Sequence, residues 1–335
     1  MELRPLGRTG MRVPTLCLGT MTFGGQSDEP ASFAILDRAF EAGITFLDTA
    51  NVYPLGGGLA TVGRTEEIIG RWIKQRGVRD RLLIATKCFG RMGEDANSGG
   101  LSRYAIQRAV EGSLTRLCTD VIDLYQTHQF DRHTPQEETL RALDDLVRAG
   151  KVRYIGCSNY PAFRVAQALG ASDKLGLARF ESTQNRYNML FREIETELLP
   201  AARESGIGVL VYNPLAGGML SGKYQAGDAP REGTRFTLGS AGVLYQGRYW
   251  QEATLKAAEK FASACRAHDC DPVAVAVAWT LAQKGVTSAI IGASRVDQLA
   301  ASIQGGELAL NEGLAKLCSS LFWELPRRPV NDGYT

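Results

Sequence analysis

Phe46–Tyr53, FLDTANVY, ends a short apolar run on an acid, Asp48, and sets a phenol, Tyr53, in the loop beyond it. Two later apolar runs end the same way: LLIATK delivers Lys87 and VIDLYQTH delivers His128. A carboxylate, a phenol, an ammonium and an imidazole are thus carried by three successive strand ends. Side chains at strand C-termini converge on one face when the strands run parallel in a barrel, where the active site is expected.

Outward from that stretch, short apolar runs alternate with amphipathic ones, the signature of repeated βα units. Eight strands are predicted: 15–18, 45–47, 82–85, 121–125, 152–155, 178–182, 209–212 and 288–291. Helices are predicted over 31–42, with Phe33, Ile35, Leu36, Ala39 and Phe40 largely on one face, and over 102–117, with Ile106, Val110, Leu114 and Leu117. Ser102 and Asp271 read as N-caps, the latter followed by Pro272. Leu3 and Val13 flank a Gly-rich turn and suggest an antiparallel hairpin that plugs the barrel floor. The fold expected is an α/β (β/α)8 TIM barrel with that N-terminal β-hairpin plug, as a single domain over 1–335. Two segments, 90–100 and 217–249, break the rhythm after strands and are expected to lie over the active face as long loops that enclose substrate and clasp cofactor.

Composition narrows the function. Hydrophobic residues at 44% and charged residues at 22% suit a globular chain with a large core, and a net charge of +2 without clustering offers nothing to nucleic acid or an anionic membrane. The start, MELRPLGRTGMRVP, lacks a long apolar stretch, and no run approaches the ~20 residues of a membrane span. A cytoplasmic protein with no membrane or nucleic-acid partner is expected, with a homo-oligomer left open. Seven cysteines without a CxxC pair indicate neither disulfides nor a zinc ribbon, and three scattered histidines make no metal site. Cys88, beside Lys87, invites a lowered thiol pKa, although a small buried space-filler is the simpler reading.

The four strand-end groups share a chemistry. A phenol with a pKa near ~10 is a weak acid at neutral pH. A neighbouring ammonium favours the phenolate, a carboxylate holds that ammonium, and an imidazole can orient a carbonyl oxygen that gains negative charge. This suits carbonyl reduction, which also needs a hydride donor. Gly56–Gly58 is not a phosphate fingerprint, since no matching strand and helix surround it.

The ordered motifs LGTMTFGG, FLDTANVY, IATK, IDLYQTH, IGCSNY, QNRYN, VYNPLAGGMLSGKY and IGASR, which span nearly the whole chain, resemble the aldo-keto reductase family. The resemblance implies a barrel that binds NADPH/NADP+ without a Rossmann domain. It makes Tyr53 the general acid, Lys87 the partner that lowers its pKa, Asp48 the partner of Lys87, and His128 the substrate-orienting residue. Ser158, Asn159 and Gln184 would hold the nicotinamide carboxamide, and Tyr212 would stack on the ring. Pro214, Leu215, Gly217 and Lys223 would line the pyrophosphate, and Gly292, Ser294 and Arg295 an anion site at a helix start. Arg295, with Lys223 and Arg235, would meet the 2′-phosphate, and Gln298 the adenosine. Gly19, Thr20, Met21, Asp48, Asn213 and Ser302 complete the implied cofactor set. The sequence departs from the family at Asn51, where Asp is common, at Asn213, where Ser is common, and at Ala301 and Ser302, where a Glu-Asn pair usually meets adenine. The stretch NSGGLS (97–102) resembles bacterial deoxysugar ketoreductases.

The function expected is therefore NADPH-dependent reduction of an aldehyde or ketone, on a polar small-molecule carbonyl such as a keto-sugar. The alternative is a redox-sensing regulatory subunit that binds the cofactor and scarcely turns over. A third reading is a barrel hydrolase. Substrate choice would rest on the two long loops and the C-terminal tail, with Phe130, Tyr245, Trp250 and Trp323 as candidate pocket walls.

Overall fold

The computed structural model describes residues 1–326. Two short strands, β1 (Leu3–Pro5) and β2 (Arg12–Pro14), pair antiparallel. Eight parallel strands then close into a barrel: β3 (Leu16–Gly19), β4 (Phe46–Asp48), β5 (Leu83–Cys88), β6 (Ile122–Thr127), β7 (Val152–Ser158), β8 (Phe180–Arg186), β9 (Gly208–Tyr212) and β10 (Ser288–Gly292). This is the expected (β/α)8 barrel, and all eight predicted strands are present, several running further toward the C-terminal face than the apolar runs suggest. On β8 the polar stretch STQNR continues the strand, because inward-facing positions near a barrel mouth can be polar.

Period-two alternation delivers the site residues. On β5, Ile84 and Cys88 pack outward into the layer beneath the helices, while Leu83 and Ala85 face the bore; Lys87 follows them inward. On β4, Leu47 packs outward and Phe46 inward, so Asp48 also faces the bore. The lower bore is filled by Cys17, Phe46, Ala85, Leu124, Leu210 and Ile290, closed from below by Leu6 and Val13 of the hairpin. The predicted plug is thus real, and it leaves only the C-terminal end open.

The helices start where their sequences allow. α1 (Glu29–Glu41) is capped by Asp28, whose carboxylate accepts from Ala31 N. α2 (Arg64–Arg76) follows. Ser102 caps α3 (Arg103–Leu117) as predicted. The ring continues with α4 (Gln136–Arg148), α5 (Ala162–Leu175) and α6 (Leu198–Ser205). Past β9, the segment expected as one long loop carries 3-10 turns at Ala216–Ser221 and Arg235–Thr237, then the helix α7 (Gly239–Tyr249). Next come α8 (Glu252–Ala267) and α9 (Pro272–Ala282), the latter capped by Asp271 as predicted. α10 (Leu299–Gly305) and α11 (Glu312–Ser320) follow β10. Residues 327–335 of the tail lie outside the described residues, so its predicted part in substrate choice does too. Among the described residues no helix is long and apolar enough to cross a membrane.

Candidate active site

Lys87 is fully buried, and its Nζ donates to Asp48 Oδ2 at 2.6 Å and to the Thr49 carbonyl at 2.8 Å. The second Asp48 oxygen accepts from Gln184 Nε2 at 2.7 Å. A buried ion pair stands only when its remaining hydrogen-bonding capacity is met, and here both carboxylate oxygens are engaged. The Tyr53 ring meets the His128 ring edge-on, with centroids 5.7 Å apart, and Lys87 Nζ lies 5.3 Å from the Tyr53 centroid. The four groups predicted from three strand ends therefore form one cluster.

Their electrostatics differ from expectation in one respect. The Tyr53 phenol is pushed up, first by burial and then by the Asp48 charge and neighbouring Tyr245, with Arg235 opposing. The Lys87 charge expected to lower it is matched by Asp48 within hydrogen-bond distance, so the phenol keeps its proton. His128 is pushed down to about 3, by burial first and by Lys87 second. Its imidazole is thus neutral at physiological pH and able to donate a hydrogen bond. Burial raises the Cys88 thiol to about 12, which overturns the notion that Lys87 activates it.

Opposite Tyr53 lies a connected polar wall. Ser158 Oγ donates to the Gln184 carbonyl at 2.9 Å, and Asn159 Nδ2 donates to the His128 carbonyl at 2.9 Å. The Tyr212 hydroxyl donates to Asn159 Oδ1 at 2.8 Å. Asn159 and Asn213 both have positive φ, 59° and 60°, a conformation Asn tolerates better than most residues. That accounts for Asn at 213. Its Oδ1 accepts from the Tyr245 hydroxyl at 3.2 Å.

A cavity of about 950 Å³ runs from Tyr53 and His128 past this wall to Arg295 and Ala301. At the far end Gly217 and Gly218 sit at positive φ, 71° and 101°, and a Cβ at Gly217 would meet the Tyr245 ring at 2.7 Å. Lys223, Arg235 and Arg295 face the same region. Lys223 is pushed down by partial burial, then by Arg231 and Arg295, the mark of crowded cations. Gln298 Oε1 accepts from Ser294 N at 2.9 Å and pins the turn after β10.

Every residue the sequence assigns to the site lines this cavity except two. Lys87 stands behind Asp48 with no solvent contact, and Ser302 is buried on the inner side of α10 while Ala301 faces the cavity. Asn51 is buried beside the tetrad, its backbone N donating to the Lys87 carbonyl at 3.1 Å. Among the candidate aromatic walls only Tyr245 lines the cavity. Trp250 packs on Tyr224 and Phe236, Phe130 on Tyr160, and Trp323 lies outside against Phe322. The 90–100 loop also departs from expectation: beyond Gly90 it folds on itself, with Met92 N donating to the Ser98 carbonyl and Arg108 of α3 pairing with Asp95.

The sequence missed Val52, Leu55, Phe89, Leu244 and Arg248, which also line the cavity. The first three flank Tyr53 or follow Lys87 closely, so proximity to a strand end was their signal. Leu244 and Arg248 lie on α7, whose packing the sequence does not reveal. Among the described residues no group of three His, Cys, Asp or Glu could hold a metal.

Residues 15–321 match the model of the Aldo/keto reductase family. The chain is 41% identical to the "Uncharacterized oxidoreductase YrpG" of Bacillus subtilis, with 96% of each chain covered. It is 37% identical to "Protein tas" of Escherichia coli, over 93% of this chain and 95% of that one. It is also 35% identical to a "Probable voltage-gated potassium channel subunit beta" of Arabidopsis thaliana, over 89% of each. With this match laid over a barrel whose mouth gathers Asp48, Tyr53, Lys87 and His128, the chain belongs to the aldo/keto reductase family.

Proposed function

We propose that this chain is an NADPH-dependent reductase of aldehydes or ketones, working as one barrel domain. The observation that carries the proposal is the shared cavity: a protonated phenol and a neutral imidazole open onto the same space as the Ser158, Asn159 and Tyr212 wall. The far end suits a dinucleotide, with backbone bare at two lining glycines and three cations that suit a pyrophosphate and a 2′-phosphate. Ser158, Asn159 and Gln184 would hold the nicotinamide, and Gly217, Lys223, Arg235 and Arg295 the phosphates.

When bound, the reduced nicotinamide supplies a hydride to the carbonyl carbon. Tyr53 supplies the proton to the carbonyl oxygen, as its raised pKa keeps that proton available. His128 orients the oxygen as a neutral donor. Lys87 stands behind the phenol, its Nζ 5.3 Å from the ring centroid, and the N–H that Asp48 and Thr49 do not engage would meet the developing phenolate, offsetting the Asp48 charge that raises the phenol.

The walls beside Tyr53 bear on the substrate. Val52, Leu55 and Phe89 present apolar surface there and Leu244 adds to it elsewhere in the cavity, so a carbonyl flanked by an apolar or aromatic group fits better than the keto-sugar expected from sequence. Purified protein assayed with NADPH and NADH against aryl and alkyl aldehydes, keto-sugars and quinones tests this. Preferred use of NADPH with apolar carbonyls is the expected result, and keto-sugars as the best substrates would overturn the assignment of the walls.

The likeness to a channel beta subunit favours a second reading, a cofactor-binding sensor. Tight NADPH binding with oxidised cofactor released far more slowly than any carbonyl is reduced would select it.

A further inference from the structure

The hydrogen bond between Gln184 and Asp48 joins residues 136 positions apart. In the closed order β10-β3-β4-β5-β6-β7-β8-β9, the strands β4 and β8 have three strands between them on either side. The bond therefore crosses the mouth along a diameter. Both residues are at most 3% exposed. An ionised carboxylate can only accept, so the atom that meets Asp48 Oδ1 is the Gln184 nitrogen. Gln184 Oε1 is thereby left to accept a donor from the cavity it lines.

We propose that Gln184 is a positioning residue for the Lys87–Asp48 pair. Its amide nitrogen fixes one Asp48 oxygen so that the other meets Lys87 at 2.6 Å, and its amide oxygen remains as acceptor for the cofactor carboxamide N–H. Cofactor seating and the group behind Tyr53 are then joined through one side chain. The catalytic consequence rests on the reductase reading; the contact itself does not.

Replacing the donor by an acid tests this directly. In Gln184→Glu two carboxylates face each other across the bore and share a proton, which raises the folded-state pKa of the pair. A raised acid pKa costs stability as pH rises through it, so the deficit appears at high pH and fades at low pH. The other groups facing this point leave the window clear. His128 from β6 titrates near 3, while Cys17 from β3, Tyr53 and Tyr212 from β9 are all raised by burial. Lys87 from β5 stands on the far Asp48 oxygen, and β7 and β10 contribute the uncharged Ser158 and Ile290.

The experiment measures Tm from pH 5 to 9 for the apo wild type, Gln184→Glu and Gln184→Met, and the pH profile of kcat at saturating NADPH. The expected Gln184→Glu deficit is at least about 5 °C at pH 8 and shrinks toward pH 5, while that of Gln184→Met is flat. With turnover, kcat of Gln184→Glu falls about tenfold or more at pH 8 and recovers on acidification; kcat of Gln184→Met falls at every pH. A Gln184→Glu deficit independent of pH, or unchanged kcat with only NADPH affinity weakened in both variants, would make Gln184 a cofactor ligand alone. A wild type that reduces no carbonyl defeats the reductase reading, while the apo melting curves still decide the contact. Should Gln184→Glu fold only below pH 6, that onset is itself the expected result, and Gln184→Met then decides the catalytic part.

Discussion

Lys87 directs two of its three N–H donors to Asp48 and Thr49, leaving one for the side that faces Tyr53. Removing it strands a buried carboxylate: Lys87→Met should cost about 3–5 kcal/mol in urea unfolding, with part regained in the double variant Asp48→Asn, Lys87→Met. Equal stability of Lys87→Met and wild type would mean that the pair is not buried as described. His128 gives a pH test with a defined sign. Its folded pKa of about 3 lies below the unfolded value, so the unfolded chain binds its proton first and this residue costs stability as pH falls below about 6.5. His128→Asn should therefore gain roughly 2 kcal/mol on wild type between pH 7 and 5, read from parallel denaturation curves. The residue types of this cluster were legible because Asp48, Lys87 and His128 each end an apolar run and Tyr53 follows the first of them closely. The upward push on the phenol was not, because it depends on how tightly Asp48 matches Lys87 in space.

Elements decide what the cavity can hold. Gly217 sits at φ 71°, and a Cβ there would lie 2.7 Å from the Tyr245 ring. Gly217→Ala should lower stability by about 1–3 kcal/mol and weaken NADPH binding, measured by fluorescence titration, because α7 must shift to admit the methyl group. Arg295 stands at the start of the turn after β10 and pairs with Asp297 at 3.0 Å across an exposed surface. Arg295→Ala should weaken NADPH roughly tenfold or more and leave NADH little changed; equal losses for both cofactors would place the 2′-phosphate elsewhere. Periodicity and turn residues made the strands and capped helices readable. The two long segments were not: α7 is held by contacts such as Tyr245 with Asn213, and the 90–100 loop by its own hydrogen bonds, neither of which follows a repeat.

At the scale of the molecule the barrel has two unlike ends, a floor sealed by the hairpin and a mouth that gathers Asp48, Tyr53, Lys87 and His128. Leu6 has no exposed surface and packs in the lower bore. Leu6→Ala should cost about 2–5 kcal/mol while turnover per folded molecule stays unchanged; a fall in kcat would tie floor to mouth. Eight strands alternating with helices made this architecture legible. The character of the cavity walls was not, since Val52 and Leu55, Phe89, and Leu244 come from three separate segments that line one cavity only when the barrel closes. The central claim, that Tyr53 protonates a carbonyl reduced from NADPH in this mouth, is tested most directly by comparing NADPH oxidation and NADPH binding in wild type and Tyr53→Phe. Turnover lower by about 10²–10⁴ with binding nearly unchanged is the predicted result; a variant that reduces carbonyls at the wild-type rate would contradict it.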